Sequence, residues 1–166
     1  MNPFCFKPRI ALACVALALA ACQQDKTPER GNGPDAKPGI EVSGGVLMLP
    51  AVKGNPGAAY FTVTNGGSAP ATLAAVHVDG AAKAEMHESR GGSMEPLKEV
   101  RIGAGETVKF ERGGRHVMLF DLDSSLTSGT ATEMTLVFAG GDKASTPLKI
   151  ESAAGGMPGM DHGKHN

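Results

Sequence analysis

Glycine and proline interrupt this chain too often for a long helix to be built from it. Its 166 residues include 23 Gly and 11 Pro, residues that break helices and supply turns. Between the interruptions, short apolar runs alternate with polar residues at the two-residue period of a half-buried strand. Nine stretches fit that pattern: 46–49, 58–64, 72–78, 83–88, 97–102, 106–111, 116–121, 131–138 and 146–151. Thr107, Val108, Lys109, Phe110 and Glu111 show the alternation most cleanly. Strong turn signals separate the stretches at Asn65-Gly66-Gly67-Ser68, Gly103-Ala104-Gly105 and Arg112-Gly113-Gly114-Arg115. No segment holds a helical period over three turns. Several short strands within one domain length predict an all-β fold, an antiparallel Greek-key sandwich or barrel.

Charge and hydropathy remove two broad classes. The formal charge is −1, which leaves no basic footprint for nucleic acid. No apolar run reaches the roughly 18 residues of a spanning helix, so a polytopic membrane protein is excluded.

The first residues read as an address. Lys7 and Arg9 precede a 12-residue apolar run from Ile10 to Ala21, the length of a signal-peptide core. The run ends in Leu19-Ala20-Ala21-Cys22, which resembles the lipobox of bacterial lipoproteins. The resemblance implies lipid on the Cys22 sulfur and cleavage just before it. Cys5 and Cys14 would leave with the signal, so the mature chain would carry no free thiol, disulfide or thiolate site. Losing Lys7 and Arg9 also makes the remainder more acidic. The expected product is tethered to the bacterial cell envelope by its acyl chains and faces the periplasm. Gln23 after the cysteine fits outer-membrane sorting better than inner.

Four parts follow from these signals: a lipoprotein signal peptide at 1–21, a flexible Pro/Gly-rich tether at 22–39, a β domain at 40–152 and a tail at 153–166. The tail, rich in Gly, brings together Met157, Met160, His162 and His165. It cannot pack a core, and its donors make it an auxiliary metal-collecting candidate, including for Cu(II).

Inside the domain, His87, Met94, His116 and Met118 stand out. His116 and Met118 are two apart on one expected strand, so they share a face about 6.6 Å apart along it. His87 closes another strand, and the loop 88–93 can fold Met94 back toward it. Singly, each residue is more often structural; a lone Met usually fills a core gap. As a set they offer two imidazoles and two thioethers. Thioether sulfur is soft and neutral, poor for Zn, Mg or Ca and good for Cu(I). Four neutral ligands would leave the ion's +1 charge uncompensated, and thioethers cannot be lost to disulfides outside the cytoplasm. Glu85, Glu88 and Glu95 read as solvated edges that favour a cation's approach.

The pattern Met94-x21-His116-x-Met118, preceded by His87, resembles the periplasmic copper chaperones of the PCuAC type, whose signature is H-x10-M-x21-H-x-M. The resemblance runs over about 46–150 and includes Ala58-Ala59-Tyr60-Phe61-Thr62-Val63-Thr64-Asn65, Ala84-Glu85-Met86-His87 and Gly113-Gly114-Arg115-His116-Val117-Met118-Leu119. One spacing departs from the family: six residues separate His87 from Met94 where ten are usual. Met86 is the nearest substitute, although strand alternation points it away from His87. The resemblance implies a cupredoxin-like sandwich that carries Cu(I) and passes it by ligand exchange. The recipient would be a copper-accepting protein, such as a cytochrome oxidase subunit at its binuclear centre or another copper chaperone.

Rival readings fare worse. An electron-transfer cupredoxin needs a Cys thiolate, which the mature chain would lack. A copper enzyme would call on a third histidine, and His77, between Val76 and Val78, reads as structural. No nucleophile–base pair or phosphate loop appears, so no enzymatic activity is expected. Copper buffering, or a scaffold sandwich without metal, remains the plainer alternative.

Overall fold

The computed structural model describes residues 37–153. The expected signal peptide, Cys22, most of the tether and the tail donors Met157, Met160, His162 and His165 lie outside those residues.

Among the described residues there are ten strands and no α-helix. In chain order they are β1 (Ile40–Leu49), β2 (Gly57–Asn65), β3 (Ala71–Val78), β4 (Ala81–Arg90), β5 (Ser93–Pro96), β6 (Val100–Ile102), β7 (Thr107–Phe110), β8 (Arg115–Leu122), β9 (Ala131–Phe138) and β10 (Lys143–Ser152). All nine stretches marked by sequence alternation fall on strands. The strand expected at 97–102 shortens to β6, and β5 is an addition that the alternation did not mark.

One hydrogen-bonded path joins the strands in the order β5-β4-β8-β2-β1-β10-β9-β3-β6, with β7 pairing β2 beside it. The path is open, not a closed barrel. Its pairings are antiparallel except for β1 with β10, which run parallel through Val46↔Lys149 to Leu49↔Ser152. Both halves of the path nevertheless feed a single core. Leu47 of β1, Leu73 of β3, Val117 and Leu119 of β8, Leu136 of β9 and Leu148 of β10 are all fully buried in it. A flat sheet cannot bury residues from its two ends in one cluster, so the path wraps on itself.

The wrapping needs strands that bend. In β1 the register slips between Ser43 and Val46, a bulge that bends the strand. Gly44 there has φ +64°, and a Cβ on Gly45 would meet the Pro147 carbonyl oxygen at 2.8 Å. Beyond the bulge, β1 pairs β2 on one side and β10 on the other. β2 divides its free side, pairing β7 through residues 61–64 and β8 through residues 57–59. Phe61 and Phe110 stack across the first pairing, with ring centroids 4.3 Å apart.

Asn65 ends β2 as the turn signal implied, but its side chain is buried and fully engaged. Its Nδ2 donates to the carbonyls of Ala69 and Ile102 at 2.9 and 3.2 Å, and its Oδ1 accepts from the Gly67 amide at 3.1 Å. A buried amide with all three partners ties the β2–β3 turn to the end of β6. The residues just before β1, read from sequence as the end of the tether, are held as well. The Lys37 amide donates to the Lys143 carbonyl at 2.8 Å, and its Nζ pairs with Asp142 at 2.7 Å.

Candidate functional site

The end of the path formed by β5, β4 and β8 carries the residues singled out by sequence. β4 and β8 are antiparallel, with Glu85↔Met118, Met86↔Val117 and His87↔His116 directly opposite. Facing residues in a sheet share a face, and the face alternates along each strand. Met86 and Val117 are buried in the core. Glu85, His87, His116 and Met118 therefore all project from the opposite, outward face. Met86, the substitute ligand suggested by spacing, points into the interior.

Met94 reaches the same face by a tighter route than expected. The stretch 88–93 is no open loop: β4 runs on to Arg90, and the chain reverses through Gly91 and Gly92. Both glycines have positive φ, +59° and +90°, the conformation of a two-residue hairpin turn. The hairpin sets Ser89↔Met94 and His87↔Pro96 opposite. Since Ser89 and His87 share a face, Met94 joins them as a diagonal neighbour of His87. The six-residue spacing thus closes by register. Met94 is 53% exposed, a thioether held out at the sheet edge.

The two imidazoles are fixed by their own backbone. His116 Nδ1 lies 2.9 Å from the Gly114 carbonyl, and His87 Nδ1 lies 3.2 Å from the Glu85 carbonyl. A carbonyl only accepts, so each Nδ1 carries the hydrogen, and in the neutral ring the lone pair is on Nε2. The rings lie 6.1 Å apart, centroid to centroid, and within 23° of parallel. His116 is buried and His87 is nearly so, its side chain 13% exposed. Two imidazoles on adjacent strands, each with a backbone carbonyl at Nδ1, are a pair suited to holding a metal, since metal-binding histidines ordinarily have such outer support.

The carboxylates flanking His87 on β4 are paired with cations. Glu88 lies between Arg90 at 3.1 Å and Arg115 at 3.5 Å. Glu85 pairs with Lys83 at 2.5 Å, and its other oxygen is 3.9 Å from His87 Nε2. The Lys83 hydrogen bond, opposed by some desolvation and joined by the charges of Lys83 and His87, holds the Glu85 carboxyl below its ordinary range. Among the described residues, no group of three or more His, Cys, Asp or Glu side chains can hold a metal ion. Met94 and Met118 add sulfur donors to the same face. His77 is exposed on β3 opposite Thr135, on a strand that pairs with neither β4 nor β8.

Sequence spacing missed two parts of this arrangement. Glu85 is drawn to His87 by the strand period, a signal available at i, i+2 but read as solvent-facing charge. The carbonyl anchors of the rings carry no sequence signal, because any residue supplies a carbonyl.

Fold and site together define an all-β domain with a paired-histidine, thioether-bearing face at one end of its sheet. The chain belongs to the family described as "Putative lipoprotein LpqE-like", whose model matches residues 40–150. It is similar to "Putative lipoprotein Lxx21020" of Leifsonia xyli subsp. xyli (strain CTCB07), 26% identical over 149 residues, which cover 87% of this chain and 89% of that one. Among solved structures it resembles the apo PCuAC domain from PmoF1, with a TM-score of 0.60 at 26% identity, covering 69% of this chain and 94% of that domain. The copper-bound PCuAC domain from PmoF2 gives a TM-score of 0.60 at 23% identity over 69% and 93% of the two chains. Cu(I)-DR1885 from Deinococcus radiodurans gives 0.58 at 24% over 72% and 83%. The all-β architecture expected from strand spacing is thus the PCuAC fold.

Proposed function

We propose that this protein is an extracytoplasmic Cu(I) carrier, anchored by lipid on Cys22, that binds copper between His87, His116, Met118 and Met94 and hands it to an acceptor. One observation carries the reading: His87 and His116 sit opposite each other, each with Nδ1 on a backbone carbonyl and Nε2 left for a metal, on a face that also carries the thioethers of Met94 and Met118. Imidazole and thioether together suit Cu(I) and poorly suit Zn, Mg or Ca. Likeness to domains solved with copper and with Cu(I) supports the choice of ion.

Transfer follows from the same chemistry. The Nδ1 hydrogens stay on their carbonyls, so binding and release at Nε2 need no change of tautomer. Met94, exposed at the sheet edge, is the ligand an incoming donor displaces first; Met118 and the histidines follow. The recipient we propose is another copper-accepting protein, with the binuclear centre of cytochrome oxidase as the intended destination. Met157, Met160, His162 and His165 would collect copper, Cu(II) included, and the lipid would hold the carrier in the envelope, in the outer membrane given Gln23.

The test is an anaerobic titration of Cu(I) into the full chain against bicinchoninate, using a background in which the four tail donors are replaced by Ala. One tightly held equivalent is expected, and it should vanish in the His87→Ala, His116→Ala double variant. Equal binding by the double variant would overturn the reading.

A further inference from the structure

The outward face does not end at β8. Met118 is opposite Ala58 of β2, Ala58 is opposite Met48 of β1, and Met48 is opposite Glu151 of β10. Facing residues share a face, so one rung runs Glu85, Met118, Ala58, Met48, Glu151 along the outside of the sheet. Burial agrees: these five residues are only partly covered, while the next rung, with Val117, Ala59, Leu47 and Ile150, is in the core.

The described residues hold five methionines. Met86 and Met134 are in the core; Met48, Met94 and Met118 share the outward face. Met48 and Met118 are two strand spacings apart, about 10 Å between Cα atoms. Met94 reaches Met118 only across two strands and four residues of travel, a longer path than the two strand spacings to Met48. The thioether nearest to Met118 is therefore Met48. Between them stands only the methyl of Ala58, so two flexible side chains can lean over it toward each other.

We propose that Met48 is a further copper-contacting residue, forming with Met118 a two-sulfur station over Ala58 that Cu(I) occupies on its way to or from the histidine pair. The inference rests on the Cu(I)-carrier reading and deepens it. Movement along the rung is a ligand exchange: a bond from Met48 Sδ to the ion forms as the bond from His87 Nε2 breaks, with Met118 bound throughout. Copper remains Cu(I), the imidazole departs with its lone pair, and no proton or electron moves. The rung ends at Glu151, one residue before the end of β10, where the chain leaves toward the Met- and His-bearing residues 154–166. Met48 is thus the outward thioether beside the end of β10.

Carbon-13 methionine-methyl spectra of the full chain, recorded as Cu(I) is added anaerobically, test this directly. The methyl signals of Met118 and Met48 should both shift, while those of Met86 and Met134 stay. A shift at Met118 without one at Met48 would overturn the station and leave the carrier reading intact. No shift at any outward methionine would sink both. Ala58→Val, which fills the gap, should abolish the Met48 response and preserve that of Met118; a surviving Met48 response would overturn the geometry. Met48→Leu keeps the volume and removes the sulfur, and should slow Cu(I) transfer to bicinchoninate at least about ten-fold, within the range that supporting groups at metal sites command. An unchanged rate would count against the station.

Discussion

The two faces of β4 and β8 share a backbone and almost nothing else. Inward, Met86, Val117 and Leu119 are sealed in the core; outward, Glu85, His87, His116 and Met118 present donors. The residues alternate one by one in Ala84-Glu85-Met86-His87 and His116-Val117-Met118-Leu119. A thioether is packing material at Met86 and a candidate ligand at Met118, although the side chains are chemically identical. What separates them is the two-residue period of the strand. The inner face also serves the outer one, because a one-residue slip of register would exchange every side chain between core and solvent. Packing at Val117 and Leu119 is what keeps His87 opposite His116.

Truncating the inner face should give the largest effect. Leu119 is fully buried, and Leu119→Ala is expected to cost about 2–5 kcal/mol of stability, the range for emptying a core leucine site. Chemical denaturation measures it, and a loss well under 1 kcal/mol would mean that β8 is not packed as described. His116→Ala probes the outer face. It should weaken Cu(I) binding more than about 100-fold, since outer-shell partners alone are worth 10–100-fold at metal sites. That factor equals about 2.7 kcal/mol. Competition with bicinchoninate reads the affinity, and a thermal melt of the metal-free chain should move far less than for Leu119→Ala. If the metal-free melt moves as far, the outward face is structural and the contrast fails.

A matched pair sharpens the comparison further. Met86→Leu and Met118→Leu remove the same sulfur from opposite faces of the same pair of strands. Each swap preserves volume and should cost less than about 1.5 kcal/mol of stability. Only Met118→Leu should weaken Cu(I) binding, whereas Met86→Leu should leave it within two-fold of the parent. Equal losses in the two variants would show that the strand period does not govern the donor set.

How much of this could be read before any coordinates depended on whether a signal was local. The strands from β2 to β4 and from β7 to β10 follow from alternation, which a single segment carries. β5 does not, because Ser93, Met94, Glu95 and Pro96 are all exposed and an edge hairpin with no buried side leaves no alternation. The first half of β1 is not marked, because Gly44 and Gly45 interrupt the apolar alternation; they form a bulge inside the strand. The parallel pairing of β1 with β10 joins segments about 100 residues apart in sequence, and no local pattern encodes it. At the site, the shared face of His116 and Met118 is legible from a spacing of two. That His87 lies directly opposite His116 needs the register between two strands, and Met48 needs three strands in line. Glu85 was visible as an acid, but not as the partner of Lys83 beside an imidazole.

The smallest effect concerns that acid, and its sign is fixed by the lowered carboxyl of Glu85. A group whose pKa is depressed on folding stabilises the native state above its unfolded value and loses that contribution as pH falls through the folded one. The reference value is 4.5. Glu85→Gln should therefore lower the melting temperature of the metal-free chain slightly at neutral pH, and the gap to the parent should close as pH falls below about 4.5. Because the carboxylate is reached by solvent, added salt should shrink the gap at neutral pH as well. A gap that widens toward acid would mean the carboxyl gains its protonated form on folding, contrary to its pairing with Lys83. A gap that salt leaves untouched would mean Glu85 acts through packing, and the outward face would then share in the structural work that the contrast assigns to the core.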